Sequence, residues 1–412
     1  MNKLEELIEK FCPMGVEYKS IREISDFVQG FAFKNNTFKT NGIGLVRTTN
    51  IQNKSISKDN MVCIDLKDYK ENLSKYIIKK DRIIIGMSGT IKVGINDSDE
   101  EFLLNQRVGM FIPYENKINN KFLFYMLDNS IDELYNLVSG SSVKNLSSNV
   151  LNDFKIAVPP LEVQCEIVHT LDDFTLLSAE LSAELKERQK QYNFYLNYLM
   201  DINNLKPQKI MYVKDLFEIK NGLNKEKNAF GEGTPIVNFT DVYKNRYLTE
   251  EMLNGKVTLT EAEIERYAVK KGDVFFTRTS ETKEDIGMSS TVIEDIKNCT
   301  FSGFVLRARP ITNLLLPKFC SYYFSTNQVR DIIVRYASFT TRATTSKSKL
   351  EKIPVPIISL KEQERIVFIL DRFHKLCNDI SEGLPAEIEA RQKQYGYYRE
   401  KLLTFKELKV NE

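Results

Sequence analysis

An internal repeat constrains this chain more than any other feature. Arg188-Gln189-Lys190-Gln191-Tyr192 returns, type for type, as Arg391-Gln392-Lys393-Gln394-Tyr395. A spaced stripe surrounds the first copy: Leu181, Leu185, Arg188, Tyr192, Tyr195 and Leu199. Its counterpart is Leu384, Ile388, Arg391, Tyr395, Tyr398 and Leu402. Alternating steps of four and three residues put each set on one seam of an α-helix that needs a partner helix. Two equivalent seams, one closing each half, imply a duplicated unit joined by paired long helices.

The repeat reaches well beyond the seams. Val46-x-x-Thr49-x-Ile51 matches Val237-x-x-Thr240-x-Val242, and apolar strands at Ile83–Ile85 and Val274–Phe276 come after matching lead-in segments. Leu161-x-x-Gln164-x-x-Ile167-Val168-x-x-Leu171-Asp172-x-Phe174 matches Leu360-x-x-Gln363-x-x-Ile366-Val367-x-x-Leu370-Asp371-x-Phe373. The order never changes, so this is tandem duplication. Runs such as Gly44–Val46, Arg82–Ile85 and Val108–Ile112 predict strands, while Lys121–Val138 and Lys318–Tyr336 predict amphipathic helices. Prolines at Pro159-Pro160 and at Pro354 and Pro356 hand the chain to long helices. The first is expected over Leu161–Met200, the second from Leu360 to about Phe405 with a break at Gly383-Leu384-Pro385. The fold class expected is α/β (α+β) and tandem-duplicated. Two mixed α/β globules, residues 1–155 and 204–354, are each followed by a helical region, residues 156–203 and 355–412. The two long antiparallel helices form a coiled-coil-like spacer.

Composition then excludes several function classes. With 42% hydrophobic and 28% charged residues and no low-complexity tract, the chain reads as a globular protein. No apolar run is long enough for a membrane helix. The acidic, amphipathic start Met1-Asn2-Lys3-Leu4-Glu5-Glu6 is neither signal nor transit peptide, so the expected location is the cytoplasm. Cys12, Cys63, Cys165, Cys299, Cys320 and Cys377 lack CxxC spacing and read as reduced thiols. With His169 and His374 the only histidines, no His/Cys metal cluster is expected.

A net charge of +2 does not announce a polyanion partner, but its distribution is uneven. Phe27–Lys58 contains no acid against Lys34, Lys39, Arg47, Lys54 and Lys58, and Lys297–Leu350 contains only Asp331 against nine cations including Arg342, Lys347 and Lys349. Such runs suit a polyanion held in a groove. The competing explanation is that folding brings neutralising acids in from elsewhere.

Catalytic motifs are not found. Ala157-Val158-Pro159-Pro160-Leu161 has the prolines of an amino-methyltransferase loop without its amide or aromatic, and Gly89–Gly94 has phosphate-loop spacing without the Lys-Ser/Thr. Asp273, Glu281 and Lys283 form the best nuclease-like cluster, a candidate Mg²⁺ site. Scattered carboxylates in a charged loop are the commoner origin of such a pattern. The reading is no catalysis, no metal and no cofactor in this chain.

Taken together, the features resemble the DNA-specificity subunit of type I restriction–modification enzymes. The likeness is carried by the Pro-Pro-Leu-Glu-x-Gln-x-x-Ile segment Pro159–Ile167, by Gly383-Leu384-Pro385-Ala386-Glu387-Ile388-Glu389-Ala390 running into the second pentapeptide, and by Cys12-Pro13-Met14-Gly15-Val16-Glu17-Tyr18. It spans essentially the whole chain. The resemblance implies two target-recognition domains, each reading one half of a split double-stranded DNA sequence. It also implies helical regions that set the spacing and dock two methyltransferase subunits, with restriction/translocase subunits joining the complex. S-adenosylmethionine, ATP and Mg²⁺ would then sit on those partners, and no membrane is involved. A stand-alone Mg²⁺-dependent nuclease and a protein–protein adaptor without DNA are the alternative classes.

Candidate DNA contacts lie in the basic loops. Arg47, Thr48, Thr49 and Asn50 combine a guanine reader, two hydroxyls and an adenine-capable amide, with Lys34, Lys39 and Lys54 nearby in sequence. Arg278-Thr279-Ser280 and Thr341-Arg342, with Lys347 and Lys349, play that part in the second half, and Lys144 lies in the first-half equivalent of the latter loop. The twelve seam residues are the candidate helix-pair or partner interface. There Arg188 and Arg391 either snorkel or fix register.

Overall fold

The computed structural model describes residues 3–137, 146–379 and 382–408. Within them the chain forms two compact units that interleave in sequence: one draws on Met1–Glu180 and Ile388–Glu412, the other on Leu181–Glu387. The expected α/β class is observed in both. Each unit thus combines the globule of one copy with the seam-bearing segment of the other copy.

In the first unit an antiparallel sheet runs in the order Ser25–Gln29, Val108–Pro113, Ile83–Gly86, Val93–Ile95. Ile83, Ile84 and Ile85 are all fully buried, which is why this strand is continuous β-branched sequence rather than alternating. A second sheet orders Val62–Ile64, Ile43–Val46, Phe102–Leu104 and Ile77–Ile78, with Val46 and Leu104 paired in parallel. The second unit repeats the plan. Phe217–Asn221, Val305–Pro310 and Val274–Thr277 open its five-stranded sheet, and Val237 pairs in parallel with Phe301. The strands cross at equivalent close approaches. A Cβ on Gly30 would sit 2.1 Å from the Asn105 carbonyl oxygen, and one on Gly222 2.0 Å from that of Ser302, so glycine is required at both.

The amphipathic helices differ from expectation in being divided. The first is Asn120–Asn129 followed by Ile131–Leu137, the second Pro317–Tyr323 followed by Asn327–Tyr336. In the second case hydroxyls compete for the helical carbonyls: Ser325 donates to Tyr322 O at 2.8 Å and Thr326 to Tyr323 O at 2.8 Å.

The long helices stand where the pattern placed them, at Leu161–Met200, Leu360–Asn378 and Leu384–Leu403. The first two begin around a fully buried glutamine. Gln164 donates to Pro159 O (2.7 Å) and Lys117 O (3.3 Å) and accepts from Asn119 N–H (2.7 Å). Gln363 donates to Ile358 O (3.1 Å) and Leu314 O (2.8 Å) and accepts from Leu316 N–H (2.9 Å). Further along each helix, Asp172 accepts from Lys121 (2.6 Å) and Tyr125 (2.6 Å), as Asp371 does from Lys318 (2.7 Å) and Tyr322 (2.6 Å). Burial and the adjoining carboxylate raise both tyrosine pKa values far above the ordinary phenol. Duplicated side chains therefore make duplicated contacts where each globule meets its helix.

The buried side of each seam-bearing helix is only partly the predicted stripe. In the second unit Tyr192, Leu196 and Met200 are buried, Leu185 and Leu199 are partly so, and the Tyr195 ring lies 5.5 Å from Phe373. In the first unit Leu403 is buried, Tyr395 and Leu402 pack on the same core, and Tyr398 stacks on Phe174 at 5.4 Å. Arg188 lies along its own helix, bonded to Glu184 at 3.3 Å and Gln191 at 3.1 Å, and Arg391 donates to Gln394 at 3.0 Å. Leu384 is buried behind the Gly383 break, while Leu181 and Ile388 are half-buried.

Candidate nucleic-acid interface

Folding decides which cations remain available. Much of the acid-poor stretch is neutralised from elsewhere: Lys39 pairs with Asp68 (2.7 Å) and Asp65 (3.5 Å), Lys58 with Glu100 (2.5 Å), and Lys54 with Asp128 (2.7 Å). Asp128 is almost fully buried and also receives Arg399 at 3.3 Å, with Lys54 5.8 Å from the Tyr395 ring. Lys54 thus secures the terminal helix within its own unit. In the second unit the corresponding place is filled by Arg246, which donates to Ser325 (2.6 Å) and lies over Tyr322 (4.8 Å) and Tyr192 (5.6 Å). Lys34 is exposed, and its backbone N–H donates to the Tyr69 hydroxyl at 2.9 Å.

Asn50 departs from its expected role. It is fully buried, accepts from Arg47 N–H at 3.2 Å and donates to Ser57 O and Asp59 O at 3.2 Å each, capping a 3₁₀ turn rather than offering an amide to a base. Its counterpart is Asp241, which accepts from Asn238 N–H at 2.8 Å. Burial raises that carboxyl's pKa, partly offset by this hydrogen bond.

The remaining candidates converge. Arg47, Thr48 and Thr49 line an open cleft of about 510 Å³ with Ser88, Gly89, Thr90, Lys92, Asn105 and Arg107. Among the described residues the lining contains no acid. Arg47 donates to Asn60 O at 2.7 Å, whereas among the described residues the Lys92 and Arg107 side chains have no protein partner. Strand pairing assembles the site: Met87 N–H donates to Arg107 O at 2.9 Å, and Thr48 Oγ1 to the same oxygen at 3.4 Å.

The second unit has a cleft of about 410 Å³ lined by Phe239, Tyr243, Thr279, Ser280, Glu281, Thr282, Asp285, Phe304 and Arg342. It occupies the same place in the repeat, since Arg278 N–H donates to Phe304 O at 3.0 Å as Met87 N–H does to Arg107 O. The two loops singled out in this half are joined by a small sheet pairing Thr279 with Thr344 and Ser280 with Ala343. Thr341 is exposed at its turn, Lys349 donates to Ser338 at 2.6 Å, and Lys347 lies 3.8 Å from Glu351, so Arg342 is the cation facing the cleft. Phe239 and Tyr243 stack at 5.6 Å, and Phe304 is 66% exposed. Lys144 lies outside the described residues.

The nuclease-like cluster dissolves on folding. Asp273 is fully buried and holds Arg309 through two bonds of 2.8 and 2.7 Å, while its backbone neighbour Lys270 N–H donates to it at 2.8 Å. No group of three or more potential metal ligands occurs among the described residues. Nor is any helix there long and apolar enough to cross a membrane.

The repeat itself matches a known family. A family described as the type I restriction modification DNA specificity domain matches twice, over residues 13–190 and 206–390. The chain belongs to this type I restriction–modification DNA-specificity family. A putative type I restriction enzyme specificity subunit of Haemophilus influenzae is 28% identical over 83% of this chain and 86% of its own length. The EcoR124I/EcoR124II specificity subunit of Escherichia coli is 32% identical over 71% and 72%. Among solved structures, one from work on assembly and conformational transition of the type I system aligns with a TM-score of 0.62, covering 95% of this chain and 98% of that one. The HsdS subunit of Thermoanaerobacter tengcongensis gives 0.54 over 96% and 99%. Both are 14% identical, so the likeness there is one of fold.

Proposed function

We propose that this chain is the DNA-reading subunit of a type I restriction–modification complex, with each globule reading one half of a bipartite duplex sequence. The observation that carries it is the pair of clefts. They sit at equivalent places in the repeat, yet one is cationic and hydroxyl-lined and the other aromatic with mixed charge. The framework side chains, Gln164 and Gln363 or Asp172 and Asp371, keep equivalent contacts. Divergence in the clefts on a conserved internal frame is what two different half-sites on one architecture require.

On this reading the helices space the two readers and dock two methyltransferase subunits, and restriction/translocase subunits complete the assembly. The chain itself is non-catalytic. S-adenosylmethionine, ATP and Mg²⁺ belong to the partners, and the working compartment is the cytoplasm. Three measurements separate this from its rivals. Sequence-selective binding to duplex DNA that weakens steeply with salt supports it. Salt-insensitive or absent DNA binding would leave only a protein adaptor. Mg²⁺-dependent cleavage by the pure chain would make it a nuclease.

A further inference from the structure

The repeat puts two residues of opposite chemistry in one structural position. Asn105-Gln106-Arg107-Val108 and Ser302-Gly303-Phe304-Val305 are equivalent turns. Each is closed by a backbone bond from its last N–H to its first carbonyl, Val108 to Asn105 at 2.8 Å and Val305 to Ser302 at 3.2 Å. Each first residue also bridges the matching early strand end, Phe31 with Asn105 and Leu223 with Ser302. The third turn residue, Arg107 or Phe304, is thereby fixed through its carbonyl while its side chain lines the cleft.

Neither side chain serves the fold visibly. Arg107 is exposed with its guanidinium uncommitted among the described residues, and Phe304 is 66% exposed, so its ring has water on most of its surface. An exposed phenylalanine on a rigid turn beside exposed Tyr243 loses nothing by being covered. An uncommitted guanidinium presents a planar fork of donors.

We propose that Arg107 and Phe304 are corresponding specificity determinants, Arg107 reading a guanine of the first half-site and Phe304 the 5-methyl group of a thymine in the second. A guanidinium matches the O6 and N7 acceptors of guanine bidentately, and thymine is the base that offers an apolar group in the major groove. The assignment rests on the DNA-reading function and adds to it which positions read, and which base each reads.

The full chain, assembled with its partner subunits, is incubated with a random duplex library, and the bound fraction is sequenced. Wild type yields a two-part motif. Arg107→Lys keeps a charge for phosphate but not the fork; it neutralises one guanine position in one half, by about 5- to 100-fold in preference, and leaves the other half intact. Phe304→Ala neutralises one thymine in the other half. Uracil in place of that thymine weakens the wild-type protein about 4-fold, the value of one buried methyl group, and leaves Phe304→Ala unaffected. Thermal midpoints of both variants stay at the wild-type value, because neither side chain is buried. A motif unchanged in both variants, with uniformly weaker binding, overturns the assignment while leaving the DNA-reading function standing. A wild-type protein that enriches no motif overturns that function and this assignment with it.

Discussion

Replacing Gln363 by leucine tests the physical basis of the junction between globule and helix. The side chain is fully buried and serves three backbone groups: Ile358 O, Leu314 O and Leu316 N–H. Leucine fills nearly the same volume, so the packing term is small and the hydrogen-bond term dominates. Each backbone group left dry costs about 1–3 kcal/mol. Three such groups, with some relaxation toward water, give about 3–6 kcal/mol. For a unit of this size that lowers the thermal midpoint by about 6–20 °C. The same change at Gln164 strands Pro159 O, Lys117 O and Asn119 N–H, and has the same size. Urea and thermal unfolding of the full chain followed by circular dichroism give the comparison. A loss below about 1 kcal/mol for Gln363→Leu would refute the claim that this glutamine anchors the start of the helix.

Other perturbations test single sites. Burial, and then the Arg246 cation, hold His374 below the ordinary histidine value of 6.5. It therefore takes up a proton on unfolding, so stability is whole above that value and declines as the pH falls through it toward the lower folded pKa. In His374→Gln the pH dependence of the unfolding midpoint flattens in this window; an unchanged slope contradicts the assignment. Asp273→Ala leaves Arg309 without its acid and destabilises by about 3–5 kcal/mol, read by denaturant melts. Loss of a cleavage activity in place of stability would restore the nuclease reading. Deleting Leu181–Glu184 shortens the first long helix by about 6 Å and turns the remainder of that helix by about 40°. The buried helix residues Tyr192, Leu196 and Met200 are untouched, and the preferred gap between half-sites contracts by roughly two base pairs of about 3.4 Å each. A methylation map of the deletant with the wild-type gap shows that the helix is not the ruler.

Much of the architecture is legible in the sequence because it depends on local periodicity. The bounds of Leu161–Met200 are set by a proline stop and a sustained apolar stripe, and the break before Leu384 by Gly383. The phase of the seam is less legible. Tyr195 and Leu196 both fit steps of three and four, but packing against the core buries Leu196 and leaves Tyr195 41% exposed. Side-chain partners far apart in sequence are invisible to such patterns. Asp128 and Asp68 claim Lys54 and Lys39, and Asn50 becomes a cap only once Arg47 turns into the 3₁₀ segment. Ser88, Thr90, Lys92, Arg107 and Phe304 join the clefts through strand pairing. Their signal is present nonetheless, since the repeat keeps apolar strands while the turn residue changes from arginine to phenylalanine.

The most direct test of the two-reader account is a domain exchange. Residues 208–350 are replaced by the corresponding segment of another specificity subunit, and the assembled enzyme's methylation sites are mapped by sequencing. The account predicts that one half of the recognised sequence changes while the other half is retained. A change in both halves, or in neither, would contradict it.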